Sequence, residues 1–197
     1  MEMMKVADRN TVIRSLHDLG LAAWFGGSLM GAIGLNGAAR EDDDAVRGVR
    51  ISSAGWNKWA PANAAAVAVH LVGGAALLEA NRSRVEHEKG VGASTAAKTV
   101  LTGAALAASV YARMLGKRLE AAVKPNGADK SDKEGELAER AVSLKQAHRQ
   151  LRAAQWSVPV LTGALVALNA LHGEQQRPSQ QKLGLIHKAG SRLHMGD

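Results

Sequence analysis

Long apolar segments that alternate with short polar ones dominate the pattern along this chain. The first, residues 16–39, holds no charged residue after Asp18 and would reach about 36 Å as a helix, enough to cross a bilayer. Three further segments cover residues 59–80, 94–115 and 153–172. This pattern predicts an all-α fold, a four-helix transmembrane bundle, with a polar lead-in over residues 1–15 and a mobile tail over residues 176–197.

Tryptophan and proline mark the start of the later spans. Trp56 and Trp59 flank the start of the second span, and tryptophan prefers the zone between headgroups and hydrocarbon, so we interpret the pair as a boundary marker. Trp156 marks the fourth span in the same way. Pro61 falls where the first turn of a helix tolerates a missing N–H. The acidic run, glycines and serines of residues 40–58 predict a loop.

Residues 116–152 form a charged segment between the third and fourth spans. In its second half, apolar positions recur at alternating spacings of four and three, which is typical of an amphipathic helix outside the membrane. We expect an extramembrane helical hairpin that extends spans three and four. Its predicted interaction face consists of Leu137, Ala141, Leu144, His148 and Leu151.

One face of the first span carries only glycine and alanine. Small residues let membrane helices approach closely, and Gly27-x-x-x-Gly31 has the spacing of a helix-association motif. We therefore predict a packed seam that mediates assembly, either as a homo-oligomer or with a larger membrane complex. Its residues are Gly20, Ala23, Gly27, Gly31, Gly34 and Ala38.

The composition fits packing by small residues but leaves one alternative open. Aromatic residues make up 3% of the chain and hydrophobic residues 46%, so alanine, glycine, leucine and valine must fill most of the interior. The mean hydropathy of −0.12 is low for a protein with several spans. A soluble, alanine-rich helical bundle is therefore a second architecture consistent with the sequence.

Charge and motifs exclude several functional classes. The net charge is +7, but basic residues are interspersed with acidic ones and form no aromatic-studded patch, so we expect no nucleic acid partner. Basic loops beside anionic lipid give the same charge. With no cysteine and no phosphate-binding or hydrolase motif, we predict no catalytic residues and no enzymatic activity. The expected location is the plasma membrane of a bacterium, with the lipid bilayer as a partner.

Ionisable residues inside or at the ends of spans are functional candidates, because burying them in hydrocarbon is costly. Histidine and carboxylate side chains are also metal ligands. For the residues at span ends, independent placement among headgroups and water, where histidine and glutamate cost little, is the interpretation that we favour. For the mid-span histidine, a hydrogen bond to a carbonyl of a neighbouring helix is the alternative, and Asn36 and Asn169 are predicted to make inter-helix hydrogen bonds. The candidate metal set is His17, His70, Glu79 and His172.

Residues 17–27, which read HDLGLAAWFGG, resemble the opening helix of the CopD-like (copper-resistance D) membrane domains and related small four-helix proteins. In those proteins a histidine is followed seven residues later by tryptophan and a glycine pair. The resemblance implies a helical integral membrane protein with copper handling or haem-type redox as its role. It also implies that His17 is the residue to carry that role.

Together these patterns favour a non-catalytic assembly, scaffold or accessory subunit of a membrane, acting through its glycine and alanine faces and its amphipathic hairpin. No cofactor is expected in that case. The alternative is a metal- or haem-binding membrane protein, for copper handling or electron transfer, and the second alternative is the soluble bundle.

Overall fold

We analysed a computed structural model that describes the backbone of residues 2–87, 89–123 and 134–175, and side chains within residues 11–83, 85–87, 90–123 and 143–171. In these ranges the chain is helical apart from short connections, and it contains no strand. A π-helical turn, Gly31–Leu35, interrupts the first span. The α-helices are α1 (Glu2–Met30), α2 (Asn36–Arg40), α3 (Ala45–Ala80), α4 (Arg82–His87), α5 (Lys89–Ala122) and α6 (Glu134–Gln175).

Four helical segments in the described part of the chain are long and apolar enough to cross a membrane: Thr11–Arg40, Ala45–Ala80, Gly90–Ala122 and Ser143–Leu171. They confirm the predicted all-α bundle of four apolar helices. Large hydrophobic side chains such as Val72 and Val100, each 71% exposed, cover the outside. Such a surface suits lipid and would be a liability in water, so the soluble alternative loses its support.

The four long helices are arranged so that α1 and α6 are central and α3 and α5 are peripheral. The first span, α1 with its continuation, packs along α3 on one side and α6 on the other, and α6 also packs along α5. In contrast, α3 and α5 approach each other sparsely. The bundle is therefore a curved row in the order α3, α1, α6, α5, with a gap between its two ends.

The core lies where α1 and α6 cross the other helices. Trp24 and Ala105 are fully buried there, and Leu21 and Leu165 are each 2% exposed. Trp24 fills the centre because alanine surrounds it on α3 and α5, so one large ring replaces several medium-sized side chains. On α5, Ala105 is buried in this core and Ser109 accepts from Trp24 Nε1 at 3.3 Å.

The expectation of a loop over residues 40–58 is wrong for most of its length. The connection is only Glu41–Asp44, and α3 begins at Ala45. Asp44 caps α3, since its Oδ1 accepts the N–H of Val46 at 2.9 Å and of Arg47 at 3.3 Å. Gly48 lets the following turn lie against the carbonyl of Ala39. The glycines and serines therefore allow close packing of a helix here and do not break it.

The two prolines lie inside helices. Pro61 is in the interior of α3 and Pro159 in the interior of α6, so the interpretation of Pro61 as a first-turn residue is wrong. Each leaves one carbonyl without its usual donor one turn earlier. One turn after Pro159, the buried Thr162 hydroxyl donates to the Val158 carbonyl of its own helix at 2.8 Å, so this polar side chain is satisfied inside the bundle.

The bundle has two ends, the terminal side and the loop side. The terminal side holds the start of α1, the α3–α5 connection and the end of α6, and the loop side holds Glu41–Asp44 and the connection between α5 and α6. The helices α5 and α6 both continue toward the predicted hairpin on the loop side. Its tip, and the side chains of Leu137 and Ala141, lie outside the described residues.

The Asp44 cap predicts a specific pH dependence of stability. The N–H groups of Arg47 and Val46 hold the pKa of Asp44 below its ordinary value of 3.8. Because the folded pKa is the lower one, the cap stabilises the fold above about that pH and is lost as pH falls through the folded pKa. We expect the melting temperature of Asp44→Ala in detergent to lie below that of wild type at neutral pH, with the difference vanishing in acid.

Two control variants identify the carboxylate as the cause. Asp44→Asn keeps an acceptor that does not titrate, so its melting temperature should depend less on pH than that of wild type. Asp43→Ala, a neighbour that makes no cap bond, should behave as wild type. An identical pH dependence for wild type and Asp44→Asn would contradict this account.

Candidate functional site: a tryptophan-lined cavity

On the loop side, tryptophan rings of α3 pack directly on glycines of the first span. A Cβ added at Gly27 would overlap the ring of Trp59, and one added at Gly31 would overlap the ring of Trp56. The two indoles on α3, three residues apart, therefore lie on the surface of α1 where it has no side chain. Both half-buried rings therefore pack on the first span, and Trp59 lies opposite Gly27, at the middle of the predicted span of residues 16–39, which does not fit a marker at the membrane boundary.

The predicted seam on the first span is divided by this arrangement. Gly20, Gly27 and Gly31 face α3 of the same chain, where Gly20 lies against the backbone of Ala66 and His70. Ala23, Gly34 and Ala38 are exposed. Half of the small-residue face thus serves the internal packing of one chain, and the other half remains on the surface.

The π-helical turn positions a polar hub at Asn36. The N–H of Asn36 donates to the carbonyl of Gly31, five residues back, and this wider turn changes the direction in which the next residues point. Asn36 Nδ2 donates to Gln155 Oε1 at 2.9 Å, and its Oδ1 accepts from Ser52 Oγ at 2.8 Å and Trp56 Nε1 at 3.0 Å. One amide therefore links three helices, which confirms the predicted inter-helix role of Asn36.

A cavity of about 860 Å³ lies beside this hub, between α3 and α5. Side chains from all four long helices line it, and it runs from Trp24 in the bundle centre to the loop side. Three of the four tryptophans of the chain form its walls: Trp24, Trp56 and Trp59. The cavity exists because α3 and α5, the two ends of the curved row, do not close against each other.

The three indole N–H groups differ in what they bind. Trp24 Nε1 donates to Ser109 Oγ at 3.3 Å, and Trp56 Nε1 donates to Asn36. Trp59 Nε1 is buried and makes no hydrogen bond to the described residues. A buried donor without a partner costs about 1–3 kcal/mol, and the edge of the ring that carries this N–H packs against Gly27.

Charged side chains surround the loop-side end of the cavity. Lys117 Nζ and Asn57 Nδ2 both donate to Glu120 Oε2 at 3.3 Å, and Asp42 pairs with Arg47 at 3.7 Å. Other charged residues at this end make no ion pair to the described residues; they are Arg40, Asp43, Arg113 and Arg152. The cavity therefore has an aromatic interior and a charged mouth.

A histidine pair lies at the α1–α3 crossing on the terminal side. The rings of His17 and His70 stack with centroids 4.1 Å apart at 21°. His17 Nδ1 donates to the His70 carbonyl at 2.8 Å, and His70 Nδ1 donates to the His17 carbonyl at 3.2 Å. Gly73 and Gly74 leave the space for His17. Because a carbonyl only accepts, both Nδ1 atoms carry protons, and the predicted bond from His70 to a neighbouring helix is confirmed.

This geometry brings together two of the four candidate metal ligands. Glu79 is exposed near the end of α3, and the side chain of His172 lies outside the described residues. Across the described part of the chain, no group of three or more histidine, cysteine, aspartate or glutamate residues could hold a metal ion. Rings stacked in contact also leave no room between them for an iron at bonds of about 2 Å to each, so the pair does not fit a haem held between them.

Two further predictions concern Asn169 and the predicted interaction helix. Asn169 Nδ2 donates to Asp18 Oδ1 at 3.2 Å, which confirms its inter-helix hydrogen bond. On the predicted interaction helix, Leu144 and Leu151 are half-buried and His148 is exposed. His148 and Leu151 line the loop-side end of the cavity, so this face contributes to the bundle itself.

Comparisons with protein-family models, with curated proteins and with solved structures found no match to this chain. The class of protein is therefore defined by the fold and the site alone. It is a four-helix protein of membrane type with an internal cavity.

The packing of the Trp59 ring on Gly27 can be tested by comparing substitutions at two adjacent glycines. Gly27→Ala places a methyl group into the Trp59 ring, and overpacking of this kind costs about 1–3 kcal/mol. The Cβ of Gly26→Ala would meet nothing within 4 Å, so that change should be neutral or stabilising by up to about 1 kcal/mol. Thermal unfolding of both variants in one detergent measures the difference.

A double variant identifies the source of the loss. Gly27→Ala combined with Trp59→Leu should lose less stability than the sum of the two single changes, because the smaller side chain leaves room for the methyl group. Equal effects at Gly26 and Gly27 would show that Trp59 does not occupy this space.

Proposed function

We propose that this protein is a non-catalytic membrane protein that binds one amphipathic small molecule in the tryptophan cavity. The observation that carries the proposal is a cavity of about 860 Å³ whose walls include three tryptophans and which lies between the sparsely packed helices α3 and α5. Cavities of about 300–1,000 Å³ with apolar walls and few polar groups are typical ligand sites.

The shape of the site limits the class of ligand. The space would hold a small molecule or one lipid, but not a whole transmembrane helix, which is about 10–12 Å across with its side chains. Indole rings on two walls favour an apolar or planar body. The opening between α3 and α5 gives such a molecule a route from the surrounding lipid, since these two helices pack sparsely.

Filling the cavity should abolish binding. Gly116 lines the cavity and a Cβ there would meet nothing within 4 Å, so Gly116→Leu adds volume without a backbone clash. We expect the three cavity tryptophans, in a Trp156→Phe background, to be quenched by phosphatidylcholine that carries bromine on its acyl chain. In Gly116→Leu this quenching should fall by at least half, as measured by steady-state fluorescence in vesicles.

Gly103→Leu is the matched control. Gly103 is on the same helix, is equally unobstructed and does not line the cavity. It should therefore leave the quenching unchanged. Equal quenching in wild type, Gly116→Leu and Gly103→Leu would mean that bromine reaches the tryptophans from outside the bundle, and the binding proposal would fail.

Assembly is the second candidate function. A role as scaffold or accessory subunit is supported by the small residues that stay exposed on the first span, Ala23, Gly34 and Ala38, since these leave a surface that a partner helix can approach closely. Gly27 and Gly31 are occupied by tryptophans of the same chain and do not belong to this surface.

This second candidate predicts a change in particle size. A Cβ at Gly34 would make ordinary contacts, at 3.6 Å from Met30 Sδ, so Gly34→Leu should preserve the folded chain. Combined with Ala38→Leu, it should convert oligomers or complexes in mild detergent to single chains, as measured by light scattering after size exclusion. An unchanged mass together with an unchanged melting temperature would exclude this surface as the point of assembly.

A further inference from the structure

We infer that the ligand of the tryptophan cavity is a phospholipid with an anionic headgroup, whose phosphate is bound at the cavity mouth by Arg113 and Arg152. This inference rests on the proposed binding function and adds the chemical class of the ligand. Its basis is the balance of paired and unpaired charges at the mouth and the position of these arginines along their helices.

The acidic residues at the mouth are largely neutralised within the protein. Glu120 accepts from Lys117 and Asn57, and Asp42 pairs with Arg47. Apart from these paired residues, three arginines and one carboxylate line the opening and make no ion pair to the described residues. They are Arg40, Arg113, Arg152 and Asp43. The unpaired charge is positive, which attracts an anion.

The arginines also lie at the depth that a headgroup occupies. On α5, residues 99–112 are uncharged and Arg113 follows directly; on α6, Arg152 directly precedes the uncharged residues 153–171. Each guanidinium is thus attached at the end of an apolar run on the loop side. Arginine presents several donors that match phosphate oxygens, and both partners gain most where water is partly excluded.

The aromatic interior suits the remainder of the same molecule. The mouth opens into walls formed by Trp56 and Trp59. An acyl chain would fill this space between the indole rings. The cavity therefore matches a phospholipid from headgroup to chain, with the two charged contacts selecting for negative charge.

The test compares two brominated lipids in the same vesicles. Phosphatidylglycerol or phosphatidylcholine with brominated acyl chains is added as a minor fraction to unlabelled phosphatidylcholine that contains the Trp156→Phe protein. We expect half-maximal quenching at about tenfold less brominated phosphatidylglycerol than phosphatidylcholine, since hydrogen bonds to charged groups are worth about that factor or more. In the double variant Arg113→Gln/Arg152→Gln this preference should disappear.

Two controls separate the mouth from general surface charge. Arg118→Gln/Arg149→Gln removes two arginines from the same helices that do not line the cavity, and it should keep the preference. Arg113→Lys/Arg152→Lys keeps the charge and should retain part of the preference. Melting temperatures within the range of the control variants show that loss of preference does not come from unfolding.

The outcomes distinguish the inference from the function on which it rests. Equal quenching by both lipids, still reduced by Gly116→Leu, would overturn the anionic headgroup and leave the binding function supported. An equal loss of preference in Arg118→Gln/Arg149→Gln would also overturn it, because the attraction would then be a property of the whole basic surface. Quenching that Gly116→Leu does not reduce for either lipid would overturn both.

Discussion

The packing of two indole rings onto a glycine surface is the contact on which the loop-side half of the bundle depends. Trp56 and Trp59 approach the α1 backbone because Gly31 and Gly27 have no side chain. This holds α3 against α1 along the two rings, while α3 and α5 pack only sparsely. The cavity lies between α3 and α5, beside the hub at Asn36.

The polar groups of this region are arranged around the same contact. Trp56 donates to Asn36, which also binds Ser52 and Gln155, so the indole that packs on Gly31 is tied to α6 through a single amide. Trp59, which packs on Gly27, has no such partner. The two rings thus differ: the Trp56 ring joins the helices through a hydrogen bond, whereas the Trp59 ring contributes packing against Gly27.

The sequence predicted the fold class well because length and apolarity of helices are local properties. The four spans and the inter-helix hydrogen bonds of Asn36 and Asn169 could be predicted from such patterns. The packing of Gly27 and Gly31 could not, because a small residue shows that something approaches but does not identify it. Its partner, Trp59, had an equally good local explanation at the membrane boundary, and only the register of α1 on α3 joins the two.

The prediction of a loop over residues 45–58 was wrong for a related reason. Glycine and serine weaken helices in water and so favour a loop, whereas in this bundle Gly48 and Ser52 lie where the α1–α2 segment packs closely and α3 continues through them. Pro61 then no longer marks a beginning. In the candidate site, the signal that sequence analysis missed was the combination of two glycines about one helical turn apart on one span with two tryptophans about one turn apart on the next helix.

The His17–His70 crossing has a mechanical consequence for the whole bundle. Each histidine is followed three residues later by a glycine, Gly20 and Gly73, so the two helices contribute the same motif in opposite directions, with approximate two-fold symmetry about the stacked rings. Sliding α3 along α1 by one residue would break both reciprocal hydrogen bonds together. The crossing therefore fixes the axial register of α3 on α1 at the terminal side, and the same register brings Trp59 and Trp56 opposite Gly27 and Gly31 further along the two helices.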